Sequence, residues 1–164
     1  MLPSDLDLIQ MILNAGLMVQ LVLFPHFYIQ ELVAPELINE LGEQRAANLI
    51  GKVQLDTLEL LRSALCDLPI TINNWADGGD LHYSGMRPPY CQVGAKYSGH
   101  KFGWCFDLHH SVFRAPCVGR YIIENQGYFP YIIRLENPDK TPTWTHVEIG
   151  WHGRGDEDLI VFNP

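Results

Sequence analysis

Apolar residues recur at helical spacing in the first half of the chain. Between about residues 44 and 66 they fall close to one helical stripe, and charged residues occupy the other positions; the stripe consists of Ala47, Ile50, Leu58, Leu61 and Leu65. Upstream, Pro35 followed by Glu36 is typical of a helix start, because proline fits the first turn and the helix dipole favours an acid there. Pro69 ends the pattern. This half therefore predicts a helix or a helix pair.

The second half changes to short strand-like runs. Residues 70–72 predict a short strand, and further strands are predicted at 120–123, 128–135 and 143–151, with turn sequences between them. Helices that precede a run of strands are typical of an α+β fold. We therefore expect N-terminal helices packed on a small, mostly antiparallel sheet.

A long irregular segment, residues 73–103, connects the two halves. It is rich in glycine, proline, asparagine and aspartate. Segments of this length inside a compact domain are usually functional or disordered. The aromatic residues Trp75, Tyr83, Tyr90 and Tyr97 favour an ordered, functional loop.

The N-terminal segment is apolar enough to require a comparison with membrane segments. Residues 8–29 are mostly apolar, but Asp5 and Asp7 precede them where a signal peptide carries Lys or Arg, and polar residues and a proline interrupt the run. We therefore predict no stable membrane insertion. A buried helix or strand, or an extension with little order, remain as alternatives for residues 1–26.

Composition restricts the class of protein. A chain of 164 residues with 47% hydrophobic and 18% charged residues is typical of one globular domain. The net charge of −8, without a basic run, argues against nucleic acid as a partner. The four cysteines contain no C-x-x-C pair, so we expect reduced thiols in a core and synthesis in a reducing cytoplasm.

Candidate chemistry is concentrated in residues 98–107. His100 and Asp107 lie seven residues apart, and strand alternation from 102 to 107 separates Asp107 from an aromatic layer of Phe102, Trp104 and Phe106. His100 has the wrong parity for an unbroken strand, so we expect a backbone bend near Gly99 or Gly103.

The predicted strand at 143–151 supplies a second histidine. Alternation places His146 on one face with Trp144 and Glu148. Any one of these polar residues has a plain structural explanation, but His100, Asp107 and His146 together form a set of N and O ligands. Three protein ligands leave one zinc position open to water, which is the pattern of catalytic sites.

These motifs resemble those of a known family. Residues 98–107 (S-x-H-x-x-G-x-x-x-D) and 146–148 (H-V-E) resemble the signature of the zinc D-Ala-D-Ala carboxypeptidases and L-alanyl-D-glutamate endopeptidases, which share a fold with the Hedgehog signalling domain. Residues 84–88 (S-G-M-R-P) are similar to the S-G-x-R segment of that family. The resemblance covers about residues 27–164 and implies a single peptidase-like domain there.

The resemblance implies specific roles. His100, Asp107 and His146 would bind Zn²⁺, and Arg87 would anchor a substrate carboxylate or stabilise the oxyanion. Arg87 has an alternative role as a salt-bridge partner that holds the loop. The implied activity is hydrolysis of stem-peptide amides in peptidoglycan. Residues 31–33 (E-L-V) and 72–75 (I-N-N-W) resemble those of phage members, which implies an endolysin-like protein made in the bacterial cytoplasm that acts at the cell wall or is carried by a virion.

The general base departs from the family pattern. Thr143 stands where many members have an acid, and Trp144 where others have a histidine. Glu148, Asp139 and Glu136 are the nearest acids and remain candidates for the base. The alternative function is a non-catalytic structural or wall-binding phage protein that retains the metal site. The sequence leaves open the bond that is cut and the oligomeric state.

Overall fold

The computed structural model describes residues 22–24, 26–155 and 157–164. The expectations for residues 1–21 and for Pro25 lie outside these ranges. In the described part, β1 (Val22–Phe24) and β2 (Phe27–Tyr28) form a short antiparallel hairpin, so residues 22–24 are a strand rather than a helix.

Four helices follow the hairpin: α1 (Ile29–Leu32), α2 (Pro35–Leu41), α3 (Glu43–Ala47) and α4 (Lys52–Ala64). The predicted start of a helix at Pro35 is confirmed. The predicted stripe between 44 and 66 is also confirmed, because all five of its residues are buried. Ala47 lies in α3, and Leu58 and Leu61 lie in α4, whereas Ile50 and Leu65 lie just after the ends of these helices. The two helices are separated before Gly51, the extended residue that precedes α4.

A five-stranded sheet follows, formed by β3 (Ile70–Thr71), β4 (Cys105–His110), β5 (Ile132–Glu136), β6 (Thr145–Ile149) and β7 (Ile160–Phe162). The strand order is β3-β4-β6-β5-β7, and every pairing is antiparallel except the parallel pair β5 and β7. The predicted α+β class with a mostly antiparallel sheet is therefore confirmed.

The two faces of the central strands differ in character. Phe106 on β4, Val147 on β6 and Leu135 on β5 are fully buried and join Leu58 of α4 in one apolar core. The alternate positions on the same strands carry polar side chains on the opposite face. The core thus supports the sheet from one side and leaves its polar face for a site.

One predicted strand is wrong. Residues 120–123 belong to α5 (Ala115–Glu124), which packs against β4 and β6. The buried residues follow the i, i+3, i+4, i+7 spacing of a helix: Ala115, Val118, Gly119 and Ile122. Pro116 in the first turn is a further helix signal. Packing of this face outweighs the strand propensity of the two isoleucines.

Two other strands are shorter than predicted. The strand predicted at 128–135 begins at Ile132, because a 3₁₀ turn (Gln126–Tyr128) occupies the preceding residues, and β6 covers only the centre of 143–151. No helix in the described ranges is both long and apolar enough to cross a membrane.

The long loop at 73–103 is ordered by hydrogen bonds to the segment between α1 and α2. Backbone bonds connect Met86 N to Leu32 O and Ala34 N to Met86 O, both at 2.8 Å. Asn73 Nδ2 and Trp75 Nε1 both donate to Val33 O. This attachment confirms the expectation of an ordered loop, and it holds residues 84–87 beside the polar face of the sheet.

Candidate metal centre

His100, Asp107 and His146 converge on the polar face of the sheet. His146 Nδ1 lies 2.7 Å from Asp107 Oδ1, and His100 Nε2 lies 3.4 Å from Asp107 Oδ2. One ligand atom from each residue falls within 4.8 Å of the others. Two ligands of a tetrahedral zinc ion, bonded at about 2 Å, are themselves roughly 3.3 Å apart. The three side chains therefore lie close enough to bind a metal ion.

Cross-strand pairing brings Asp107 and His146 together. They are direct partners in the antiparallel register of β4 and β6, and both point away from the core. Side chains at such positions have Cβ atoms about 5 Å apart, which suits two ligands of one ion. The predicted shared face of Trp144, His146 and Glu148 is confirmed, since all three line the same cavity.

His100 reaches the site from a 3₁₀ turn (Gly99–Phe102) rather than from a strand. Gly103 ends this turn with a left-handed backbone, φ +71°, which is the predicted bend. His100 Nδ1 donates a hydrogen bond of 2.9 Å to Gly85 O. Because a carbonyl can only accept, Nδ1 carries a proton, and Nε2, which faces Asp107, is the nitrogen that would supply a lone pair to a bound metal.

The aromatic layer predicted on β4 is wrong in part. Phe106 is buried in the core, but Phe102 is 51% and Trp104 44% exposed. The strand begins only at Cys105, because the turn that carries His100 occupies the residues before it. Alternation therefore holds for Phe106 and Asp107 but does not extend back to Phe102.

Asp107 and His146 perturb each other. Burial alone would raise the pKa of Asp107, but hydrogen bonds from His100 and His146 hold that pKa well below its usual range. Burial would lower the pKa of His146, yet the bond to Asp107 outweighs it and raises the pKa. Without a metal, the contact holds a proton on Nδ1, and a cation bound at that position would replace it.

Arg87 contacts both the metal residues and the loop. Its Nη2 donates to Asp107 Oδ2 at 3.3 Å, while Nε and Nη1 donate to the carbonyl oxygens of Tyr83 and Val93. The side chain is buried but borders the cavity above the metal residues. The contacts therefore suit both roles considered from the sequence, holding the loop and facing a ligand.

The cavity has a volume of about 550 Å³ and contains two of the three acids considered as base. Glu148 Oε1 lies 3.8 Å from His146 Nε2, and Glu136 accepts a hydrogen bond from Trp144 Nε1. Burial would raise the pKa of Glu148, but the neighbouring His146 and Arg134 lower it overall.

Asp139 does not line this cavity. It lies in the turn after β5, is mostly exposed, and forms an ion pair with Arg120 at 2.6 Å. Thr143 is exposed just before β6 and is likewise absent from the cavity wall. The structure therefore brings Glu148 and Glu136 to the metal residues and leaves Asp139 on the surface.

The cavity residues that were not identified from the sequence include Arg134 on β5 and Phe162 on β7. Alternation already places Arg134 and Glu136 on one face of their strand. That β5 pairs with β6, and so turns this face toward His146, depends on a strand order that the sequence does not give. The sequence thus indicated that Arg134 and Glu136 share a face, but it did not indicate that this face lies beside His146.

Cys105 lies beside the metal residues, almost fully buried. With His146 and Glu148 it forms a second group whose candidate ligand atoms lie within 4.8 Å of one another. A Cβ at Gly99 would stand 2.2 Å from Cys105 Sγ, so the thiol fills the space that the missing side chain leaves. Cys105 and Cys91 are thus buried free thiols, as expected from the sequence, whereas Cys66 and Cys117 are free but exposed, so the expectation of a core position is wrong for these two.

Gly85→Ala is expected to destabilise the protein and weaken metal binding. A Cβ at Gly85 would lie 2.2 Å from Leu32 O, a backbone atom that cannot move without disturbing α1. Because Gly85 O fixes the His100 ring, we expect a loss of more than about 1 kcal/mol in the free energy of unfolding and roughly tenfold in metal affinity. Urea unfolding and competition with a chelating dye measure both.

The matched control is Gly127→Ala, since a Cβ at Gly127 meets nothing within 4 Å. If Gly85→Ala and Gly127→Ala have the same stability and the same metal affinity, the Gly85 contact with His100 is unimportant.

The chain was compared with protein-family models, with curated proteins and with solved structures, and nothing matches. The geometry described above therefore carries the conclusion that His100, Asp107 and His146 form a candidate metal centre.

Proposed function

We propose that this protein is a zinc peptidase that hydrolyses amide bonds in peptidoglycan stem peptides, either as a D,D-carboxypeptidase or as an L-alanyl-D-glutamate endopeptidase. The observation that carries the proposal is the convergence of His100, Asp107 and His146 in an open cavity that also contains Arg87. The choice of wall peptides rests on the sequence resemblance at residues 84–88, 98–107 and 146–148. That resemblance also implies a Hedgehog/DD-peptidase-like fold.

Zinc is proposed as the metal because of the donor set. Two imidazole nitrogens and one carboxylate oxygen match the three protein ligands of catalytic zinc sites. When bound, the ion would supply a Lewis acid that polarises the scissile carbonyl and activates water. The protein supplies a fixed His100 tautomer, through Gly85, and a cavity large enough for a peptide segment.

Arg87 and Glu148 are assigned the remaining roles. The Arg87 guanidinium would hold a substrate carboxylate or the oxygen that gains negative charge as the amide is attacked. Glu148 is preferred to Glu136 as the proton acceptor, because it lies against the metal ligand His146. Its lowered pKa keeps the carboxylate ionised near neutral pH but makes it a weaker base than an ordinary Glu, so its position rather than its pKa supports this role.

The purified chain is expected to contain about one zinc ion and to cleave muropeptides. Elemental analysis measures the metal, and mass spectrometry of digested wall fragments identifies the bond cut. A chelator should abolish cleavage, and added zinc should restore it. A folded protein that binds no zinc and ignores the chelator would contradict the proposal.

A non-catalytic wall-binding or structural protein is the second candidate. Thr143 replaces the usual acid, and Glu148 is already engaged by Arg134, which forms hydrogen bonds to both of its oxygens. Stoichiometric zinc with no turnover on any wall fragment would favour this candidate. Cleavage of a different class of peptide would instead indicate another amidohydrolase on the same scaffold.

We further propose a phage or prophage origin, synthesis in the bacterial cytoplasm, and action at the cell wall or from a virion. The support is the likeness of the segments around residues 31–33 and 72–75 to phage members of the resembled family. Fractionation of infected or induced cells, with detection of the protein in wall or virion fractions, tests this assignment.

A further inference from the structure

Arg134 presents a second guanidinium to the cavity that contains the metal residues. It lies on β5, directly opposite Glu148 of β6 in the antiparallel register. Its Nη1 donates to both oxygens of Glu148, at 3.1 Å and 3.0 Å. Glu148 in turn lies 3.8 Å from His146 Nε2, so this cation is two contacts away from the candidate metal position.

The other edge of the Arg134 guanidinium is open. Among the described residues, its hydrogen bonds use Nη1 only, which leaves Nε and Nη2 without a protein partner. These two nitrogens form the edge that binds a carboxylate through two parallel hydrogen bonds. The side chain is 41% exposed, so this edge is accessible to a ligand in the cavity.

The guanidinium is also held in place. Its Cζ lies 4.2 Å from the centroid of the Phe162 ring, and Glu148 fixes the opposite side. Stacking of arginine on an aromatic ring restrains its plane without consuming hydrogen-bond donors. By contrast, Arg87 is buried and uses Nε, Nη1 and Nη2 in contacts within the protein. Among the described cavity residues, Arg134 thus differs from Arg87 in keeping one whole edge of its guanidinium without a protein partner.

We propose that Arg134 determines specificity by binding a carboxylate of the substrate, so that the enzyme selects acidic peptides. This inference rests on the proposed peptidase function and deepens it. The contacts of Arg134 with Glu148 and of Glu148 with His146 place the recognised carboxylate in the same cavity as the scissile amide. Neutral and basic peptides lack the carboxylate that would accept hydrogen bonds from Nε and Nη2 of Arg134.

Arg134→Gln tests the inference on a matched pair of stem peptides, one with a free carboxylate near the scissile amide and one with that group as a carboxamide. The wild type should prefer the carboxylate. In Arg134→Gln, kcat/KM for the carboxylate peptide should fall about tenfold or more relative to the carboxamide peptide, so the preference should disappear. The loss of the Arg134 contact with Glu148 changes kcat for both peptides alike and cancels in this ratio. Arg134→Lys, which keeps the charge but loses the fork, should restore part of the preference.

Arg120→Gln is the control, because Arg120 pairs with Asp139 on the surface outside the cavity. Arg120→Gln should cleave both peptides with the same kcat/KM values as the wild type. Thermal unfolding and zinc content of each variant show whether the fold and the metal residues are intact. Calorimetric titration of the zinc-loaded protein with the same two peptides gives a readout that needs no turnover.

The outcomes separate the two proposals. Cleavage with equal preference for carboxylate and carboxamide overturns the role of Arg134 and leaves the peptidase function standing. Carboxylate-selective binding that is lost in Arg134→Gln, without cleavage of any peptide, overturns the peptidase function and supports the recognition site. Absence of both selective binding and cleavage contradicts both proposals.

Discussion

His146→Ala should lose the metal and the hydrolytic activity together. The substitution removes the nitrogen that lies 2.7 Å from Asp107 and leaves only His100 and Asp107 as ligands. Loss of a mere hydrogen-bond partner of a ligand costs about 10- to 100-fold in metal affinity, so loss of the ligand itself should cost more than about a hundredfold. Elemental analysis after dialysis and a cleavage assay on wall fragments measure the two effects.

The control for this experiment is His152→Ala. His152 is exposed in the loop after β6 and is absent from the cavity wall. It should retain metal and turnover. If His146→Ala and His152→Ala bind zinc with the same affinity, the metal position proposed here is wrong.

The same variant has a pH-dependent effect on stability when the metal is removed by chelation. The pKa of His146 is raised in the folded protein, so its stabilising contribution is complete below the unfolded pKa of about 6.5 and is lost as pH rises toward the folded pKa. The pKa of Asp107 is lowered, so its contribution is lost only in acid. The stability deficit of His146→Ala should therefore be greater near pH 6 than near pH 9, as measured by urea unfolding.

Local patterns in the sequence were sufficient to predict the shared face of two of the three metal residues. Asp107 and His146 lie in strands, where alternation determines which side chains share a face. Their pairing then follows once the two strands are neighbours. The prediction of the apolar stripe from Ala47 to Leu65 was confirmed for the same reason, because in a regular helix or strand the spacing of residues determines which side chains share a face.

The remaining parts depended on tertiary structure. His100 reaches the site through a 3₁₀ turn whose position depends on Gly103 and on the carbonyl of Gly85, contacts that no periodic pattern contains. Residues 120–123 form a helix because one face packs on the sheet, although their local propensity favours a strand. Arg134 acquires its place from the strand order alone. The spacing of residues in the sequence thus predicted the candidate metal ligands, whereas tertiary packing determined which other residues lie beside them.

Arg87→Ala should retain the metal but lose turnover. None of the three ligands is removed, but the hydrogen bond from Arg87 to Asp107 is lost, so zinc should still bind with an affinity about 10- to 100-fold lower, and the assay is run with zinc in excess of the protein. Removing a donor that stabilises developing negative charge typically costs about 10²- to 10³-fold in kcat, and we expect a loss of this size. Arg87→Lys should recover only part of it, because an ammonium keeps the charge but cannot form the paired hydrogen bonds of the guanidinium.

A stability loss must be separated from this catalytic loss, since Arg87 also donates to the carbonyl oxygens of Tyr83 and Val93. Leaving buried acceptors unpaired costs about 1–3 kcal/mol. Asn73→Ala is the matched control, because Asn73 is buried, bonds Ser84 N and Val33 O in the same loop, and does not line the cavity. If Asn73→Ala lowers stability and kcat as much as Arg87→Ala does, loop attachment alone explains the effect. A kcat loss confined to Arg87→Ala assigns the guanidinium to the reaction, because both variants loosen the loop but only one removes a charge that faces the substrate.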